Sequence, residues 1–253
     1  MLPTRPSVMI IAHGSSVSDG AQEAAMQHAL TLQQSNRYGH VDVCFLVRDH
    51  ATPNLPKGEV FLLPFFMSNG YFVTRRIPDL FGLNEGLRIC ADRQLYQCDA
   101  LGIDPELAGI ISSMARDVCT EQGYAPADIH LVLVAHGSEK SRASAEATYL
   151  QQKTVESRKE FGKVSVAFLN EAPFLDKWLY DQPEEGSPLV LVGLFAAEGP
   201  HATEDVPGAI AKWRKMTGSK LPAHYAGAVG TRPEIVKLIQ HSISRCAAKF
   251  RRI

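Results

Sequence analysis

Two histidines and a carboxylate in the second half of the chain stand where apolar runs end. His136 follows His130-Leu-Val-Leu-Val-Ala135, Glu171 follows the run 164–169, and His201 follows the run 188–195 through Ala196–Gly199. Two imidazoles and a carboxylate suit a borderline divalent metal such as Co, Fe, Ni or Zn. They also suit proton abstraction near neutral pH, because an unperturbed imidazole titrates at about 6.5. A plainer reading exists for each. A lone histidine after a strand is commonly a cap or a core residue, but two on edge-facing loops favour a functional role. Glu171, just before Ala172-Pro173, reads equally as a helix-start carboxylate, and Asn170 beside it ends the same run. Ser138, after Gly137, reads first as a cap for the next helix.

These groups need a scaffold that brings them to one edge, and the chain states it twice. Ser7-Val-Met-Ile-Ile-Ala-His13-Gly14-Ser15 matches His130-Leu-Val-Leu-Val-Ala-His136-Gly137-Ser138. Glu59–Gly70 followed by Tyr71–Pro78 matches Pro188–Gly199 followed by Pro200–Pro207, without a gap. Gly102-Ile-Asp-Pro105-Glu106 then matches Gly230-Thr-Arg-Pro233-Glu234. Three ordered matches at nearly constant spacing indicate an internal duplication. Strands are predicted at 7–12, 41–47, 59–65 and 94–97, then at 130–135, 164–169, 188–195 and 223–227. Helices are predicted over Gly20–Ser35, Pro105–Gln122, Ser141–Glu160 and Thr203–Met216, the last opening on the acids Glu204 and Asp205. Apolar runs separated by helices imply parallel strands covered on both faces. The fold class is therefore α/β, as two tandem flavodoxin-like lobes, each a doubly wound parallel sheet. Gly123 and Pro126 break the pattern, which divides the chain into lobes at 1–124 and 125–253. In a parallel sheet His136, Glu171 and His201 lie at the same carboxyl edge, where such folds bind ligands.

The first half keeps the architecture and changes the chemistry. His13 remains, but Phe72 stands at the position of His201, among Phe65, Phe66 and Tyr71, and Arg75-Arg76 replace Glu204-Asp205. Apolar and basic groups there suit a flat, carboxylate-bearing substrate better than a metal. As plain structure, Phe72 fills core space and the arginines are a solvated helix start.

Composition narrows the class further. Hydrophobic content of 45% and charged content of 21% are ordinary for a globular protein, and a net charge of −1 provides no field for nucleic acid or an anionic membrane. Lys249, Arg251 and Arg252 read as a solvated helix end. The five cysteines contain no CxxC pair, which argues against a disulfide framework, a zinc ribbon or an iron–sulfur cluster and fits a reducing cytoplasm. No signal-peptide pattern and no membrane-spanning run is present. The Ser after His-Gly is not a nucleophile elbow, and no GxGxxG or P-loop follows a first strand. A phospho-histidine site would need an Arg before the His, where Ala12 and Ala135 stand.

The order of a strand ending in AHGS, then a second strand ending in Asn-Glu, then a glycine, a histidine and D-V-P resembles the class II chelatases. It is most similar to the sirohydrochlorin cobaltochelatase/ferrochelatase (CbiX-type) family in its long, two-domain form. The resemblance implies two flavodoxin-like lobes with the tetrapyrrole in the cleft between them. It implies ATP-independent insertion of Co²⁺ or Fe²⁺ into sirohydrochlorin or a related macrocycle, with the divalent metal as substrate and no permanently bound cofactor. It also implies His136 and His201 as metal-handling and catalytic residues, assisted by Glu171, with Asn170 as the alternative equivalent of that acid. His13, Phe72, Arg75, Arg76 and Ser138 fall in the substrate-binding set. The expected partners are the tetrapyrrole and the metal, in a monomer or a homodimer. A non-catalytic tetrapyrrole or metal-binding protein, or a chelatase for Ni²⁺, is the alternative.

Overall fold

The computed structural model describes residues 5–14, 20–47, 53–183 and 185–251. In chain order it runs β1 (Ser7–Ala12), α1 (Gly20–Gln34), β2 (Val41–Phe45), β3 (Gly58–Pro64), a π-helical turn (Phe72–Arg76) into α2 (Ile77–Phe81), β4 (Leu87–Ile89), β5 (Arg93–Gln97) and α3 (Leu107–Gln122). The second repeat follows as β6 (His130–Ala135), α4 (Ala143–Glu156), β7 (Lys163–Phe168), α5 (Leu175–Tyr180), β8 (Leu189–Gly193), a second π-helical turn (His201–Asp205) into α6 (Val206–Thr217), β9 (Ala223–Ala228) and α7 (Ile235–Phe250). One sheet has the order β2-β1-β3-β5-β4 and the other β7-β6-β8-β9. Strands β1 and β6 sit inside their sheets with every residue buried, as their unbroken apolar runs require.

Two features differ from the expected plan. The first sheet is not wholly parallel, because β4 pairs antiparallel with β5. Leu-Arg-Ile is mostly exposed and three residues long, too short for an apolar run to announce it. The compact units also differ from the contiguous halves 1–124 and 125–253. One unit is Met1–Asp104 with Pro233–Ile253 and the other is Pro105–Arg232. Helix α3, which ends the first repeat, packs with α4, β8 and β9, whereas α7 packs with α1, β3 and β5. Arg245 on α7 forms an ion pair with the buried Asp104, holding that helix to the first unit.

The third sequence match explains itself as packing. Gly102 and Gly230 each place their Cα against the loop that follows β3 or β8. An added Cβ would stand 1.9 Å from the Met67 carbonyl oxygen and 2.2 Å from that of Ala196. Their N–H groups donate to the Phe66 and Phe195 carbonyls at 3.0 and 2.9 Å. Only glycine allows this approach, so the motif shapes the loops that carry Phe72 and His201.

Both π turns have one sequence cause. Pro78 and Pro207 sit just inside the helices that follow, where an α-helical continuation would drive the ring into the carbonyl four residues back. The turn widens instead, and Ile77 and Val206 donate their N–H to the carbonyls of Phe72 and His201, five residues earlier. No helix among the described residues is long and apolar enough to cross a membrane.

Candidate metal and macrocycle site

His136 is placed by the end of β6. Ala135 pairs with Phe168 across the sheet, and the chain beyond β7 continues the ladder: Leu169 N–H donates to the Ala135 carbonyl at 3.0 Å and Asn170 N–H to the His136 carbonyl at 2.9 Å. The histidine backbone is thus pinned while its side chain is exposed. Gly137 then turns the chain at φ 74°, with an added Cβ facing Glu171 Cγ at 2.8 Å and Phe168 Cβ at 2.9 Å. Gly137→Ala therefore combines a left-handed strain with a clash, and an expected loss of about 1–3 kcal/mol, read from urea midpoints, tests this.

The His136 ring donates its Nδ1–H to the Gly137 carbonyl at 2.8 Å, which in the neutral ring leaves the lone pair on Nε2. Asn170 Nδ2 donates to that Nε2 at 3.1 Å. His201 opens the second π turn, and its ring lies edge-on to His136 with centroids 4.6 Å apart and planes at 74°. Its Nδ1–H donates to Asp205 Oδ2 at 2.6 Å. The two imidazoles are therefore side by side at the carboxyl edge of the sheet. Among the described residues no group of three or more His, Cys, Asp or Glu could hold a metal ion by itself.

Glu171 is drawn to the backbone. Its Oε1 accepts the Ser138 N–H at 2.9 Å, so its carboxylate braces the His136-Gly137-Ser138 turn, while Asn170 is the side chain that touches the imidazole. Ser138 does not cap α4. Its Oγ accepts the Lys140 N–H at 3.2 Å in a local turn, and the helix begins later, at Ala143. Ser144 on that helix supplies the oxygen that accepts the Gly137 N–H, at 3.2 Å. Beside the histidines a cavity of about 630 Å³ opens against Asn170, His201 and Asp205, with Phe174 and the Asp176–Lys212 ion pair also lining it.

The first unit repeats the frame with different side chains around its histidine. Val47 N–H donates to the His13 carbonyl at 3.0 Å, which puts Val47 at the place of Asn170. His13 Nδ1–H donates to the Gly14 carbonyl at 2.8 Å. Phe72 lies edge-on to His13 with centroids 4.7 Å apart at 85°, and stacks on Phe66 at 5.9 Å. Arg75 is exposed and Arg76 half-buried in the same π turn. Ser15 lies outside the described residues. Sequence reasoning missed the pairing of Asn170 with Val47 and the attachment of Asp205 to His201. The four-residue spacing of His201 and Asp205 on a predicted helix start was the available signal for the second.

Known proteins resemble this chain in sequence and in fold. The CbiX family model matches residues 7–118 and again 130–246. A probable sirohydrochlorin cobaltochelatase of Halobacterium salinarum is 28% identical over 258 residues, spanning 90% of this chain and 87% of that protein. DR2241 of Deinococcus radiodurans, described as a multi-domain protein with structural similarity to chelatases and two additional novel domains, has a TM-score of 0.77 and 25% identity. That match covers 94% of this chain, which spans 54% of the Deinococcus protein. CbiX described as the terminal enzyme for biosynthesis of siroheme in denitrifying bacteria shares the fold, with a TM-score of 0.73 at 24% identity over 94% of this chain and 98% of that one. Matched in both of its repeats, the chain belongs to the CbiX family.

Proposed function

We propose that this protein is a metal chelatase that inserts Co²⁺ or Fe²⁺ into sirohydrochlorin without ATP, in cobalamin- or siroheme-type biosynthesis. The observation that carries the reading is the side-by-side pair His136 and His201, each with Nδ1 occupied by an acceptor and Nε2 facing away from it. The half-chain that lacks the second histidine serves as an internal comparison. The net change is simple: a divalent ion enters the macrocycle and two pyrrole N–H protons leave. His136 and His201 hold the incoming ion or take up those protons, and Glu171 assists by bracing the turn that presents His136. Ser138 contributes through the same turn. His13, Phe72, Arg75 and Arg76 bind substrate: an aromatic face suits a flat macrocycle, and guanidinium groups suit its carboxylates. The metal is a substrate here, and no resident cofactor is required. We place the activity in the cytoplasm, in a monomer or a homodimer.

Anaerobic incubation with sirohydrochlorin and Co²⁺, Fe²⁺ or Ni²⁺, followed by absorbance, tests this. Conversion of the macrocycle spectrum with Co²⁺ or Fe²⁺ is expected. Binding of the macrocycle without conversion by any of the three metals would make the protein a carrier instead, and conversion with Ni²⁺ alone would change the metal.

A further inference from the structure

The two histidines of the second unit are held by different acceptors, and the first unit shows what that difference is for. His201 Nδ1–H donates to Asp205 Oδ2 at 2.6 Å, with the two side chains 48% and 51% exposed. An exposed pair of this kind adds little to stability. Nor does it place the ring. In the matched π turn the corresponding residues are Phe72 and Arg76, and Phe72 has no polar atom to bond. Phe72 nevertheless meets His13 in nearly the arrangement that His201 adopts toward His136. The glycine-shaped loop and the π turn therefore set the ring position without a carboxylate. The backbone acceptor is likewise common to both units, since His13 and His136 each donate Nδ1–H to the following glycine's carbonyl. The side-chain acceptor occurs only where a second imidazole exists.

What a carboxylate adds to a ring already in place is the choice of tautomer. An acceptor at Nδ1 keeps the proton there and leaves the lone pair on Nε2. We propose that Asp205 is a positioning residue that holds His201 in its Nδ1–H tautomer and thereby makes Nε2 available to a divalent cation. This inference rests on the metal-handling reading of the histidine pair.

Two measurements on the full chain separate the inference from that reading. Long-range ¹H–¹⁵N correlation of the neutral His201 ring reports the tautomer directly, and Co²⁺ titration followed by visible absorbance reports affinity. In the wild type His201 is expected as Nδ1–H. In Asp205→Ala the ring shifts toward Nε2–H, and the Kd for Co²⁺ rises about 10- to 100-fold, while circular dichroism stays native. Asp205→Glu recovers part of the affinity. An unchanged tautomer or an unchanged Kd in Asp205→Ala would overturn the inference. A wild type that binds no Co²⁺ would count against the metal-handling reading, and the tautomer measurement would still decide the role of Asp205.

Discussion

His201→Ala is expected to lower the rate of metal insertion by at least about 10²-fold, the scale on which a positioned proton acceptor contributes. The fold should survive the change. His201 is exposed on the π turn, and the turn itself is shaped by Pro207, by the Val206 N–H bond to the residue-201 carbonyl and by Gly230 beneath the loop. None of these involves the imidazole. Phe72 at the matched position shows that the frame accepts a different side chain. His136→Ala should have an effect of the same order, because its Nε2 lone pair is lost while the backbone pairing to Asn170 remains. His13→Ala should cost clearly less, since Val47, Phe72 and Arg76 stand where the second unit has Asn170, His201 and Asp205. Initial rates of the three variants, compared at saturating macrocycle, check the ordering. Wild-type turnover in His201→Ala would remove the assignment.

The second large effect concerns stability rather than chemistry. His130 begins β6, at the opposite end of the strand from His136. It is buried, its Nε2 is bonded to Ser165 Oγ at 2.8 Å, and its ring meets Trp178 edge-on at 5.2 Å. Burial, with a smaller contribution from the charge of Lys163, pushes its pKa down to about 4 from 6.5. Between those values the unfolded chain binds a proton that the folded chain refuses, so stability rises with pH across this window. The contribution of neutral His130 is complete above about pH 6.5, is lost progressively as the pH falls, and is gone below about pH 4. A shift of this size corresponds to about 3 kcal/mol. Urea midpoints at pH 7.5 and pH 4.5 should therefore diverge more in the wild type than in His130→Gln, which can keep a bond to Ser165 without titrating. Equal divergence in both proteins would contradict the argument.

Much of the frame was legible because its signals are local. The runs that became β1 and β6 are apolar without interruption, and the repeated glycines and prolines marked the loops in register. What stayed hidden depends on which surfaces meet. Helices α3 and α7 carry apolar faces in the sequence, but such a face does not say which sheet it will cover, so their exchange between the compact units had no local signature. Strand β4 was too short to show a period. At the candidate site, the proximity of His136 and His201 followed from their positions after the strand ends. The choice between Asn170 and Glu171 did not, because a one-residue difference at a strand end decides which side chain reaches the imidazole and which turns back to the Ser138 N–H. The π turns were equally hidden, although Pro78 and Pro207, which impose them, were visible from the outset.

In the proposed function the second unit handles the metal and the first does not. Anomalous diffraction at the cobalt edge, from crystals soaked anaerobically in Co²⁺, reads this directly. A cobalt peak at His136 and His201, with none at His13, is the expected result. A peak at His13, or cobalt bound elsewhere with the two imidazoles of the second unit untouched, would contradict it.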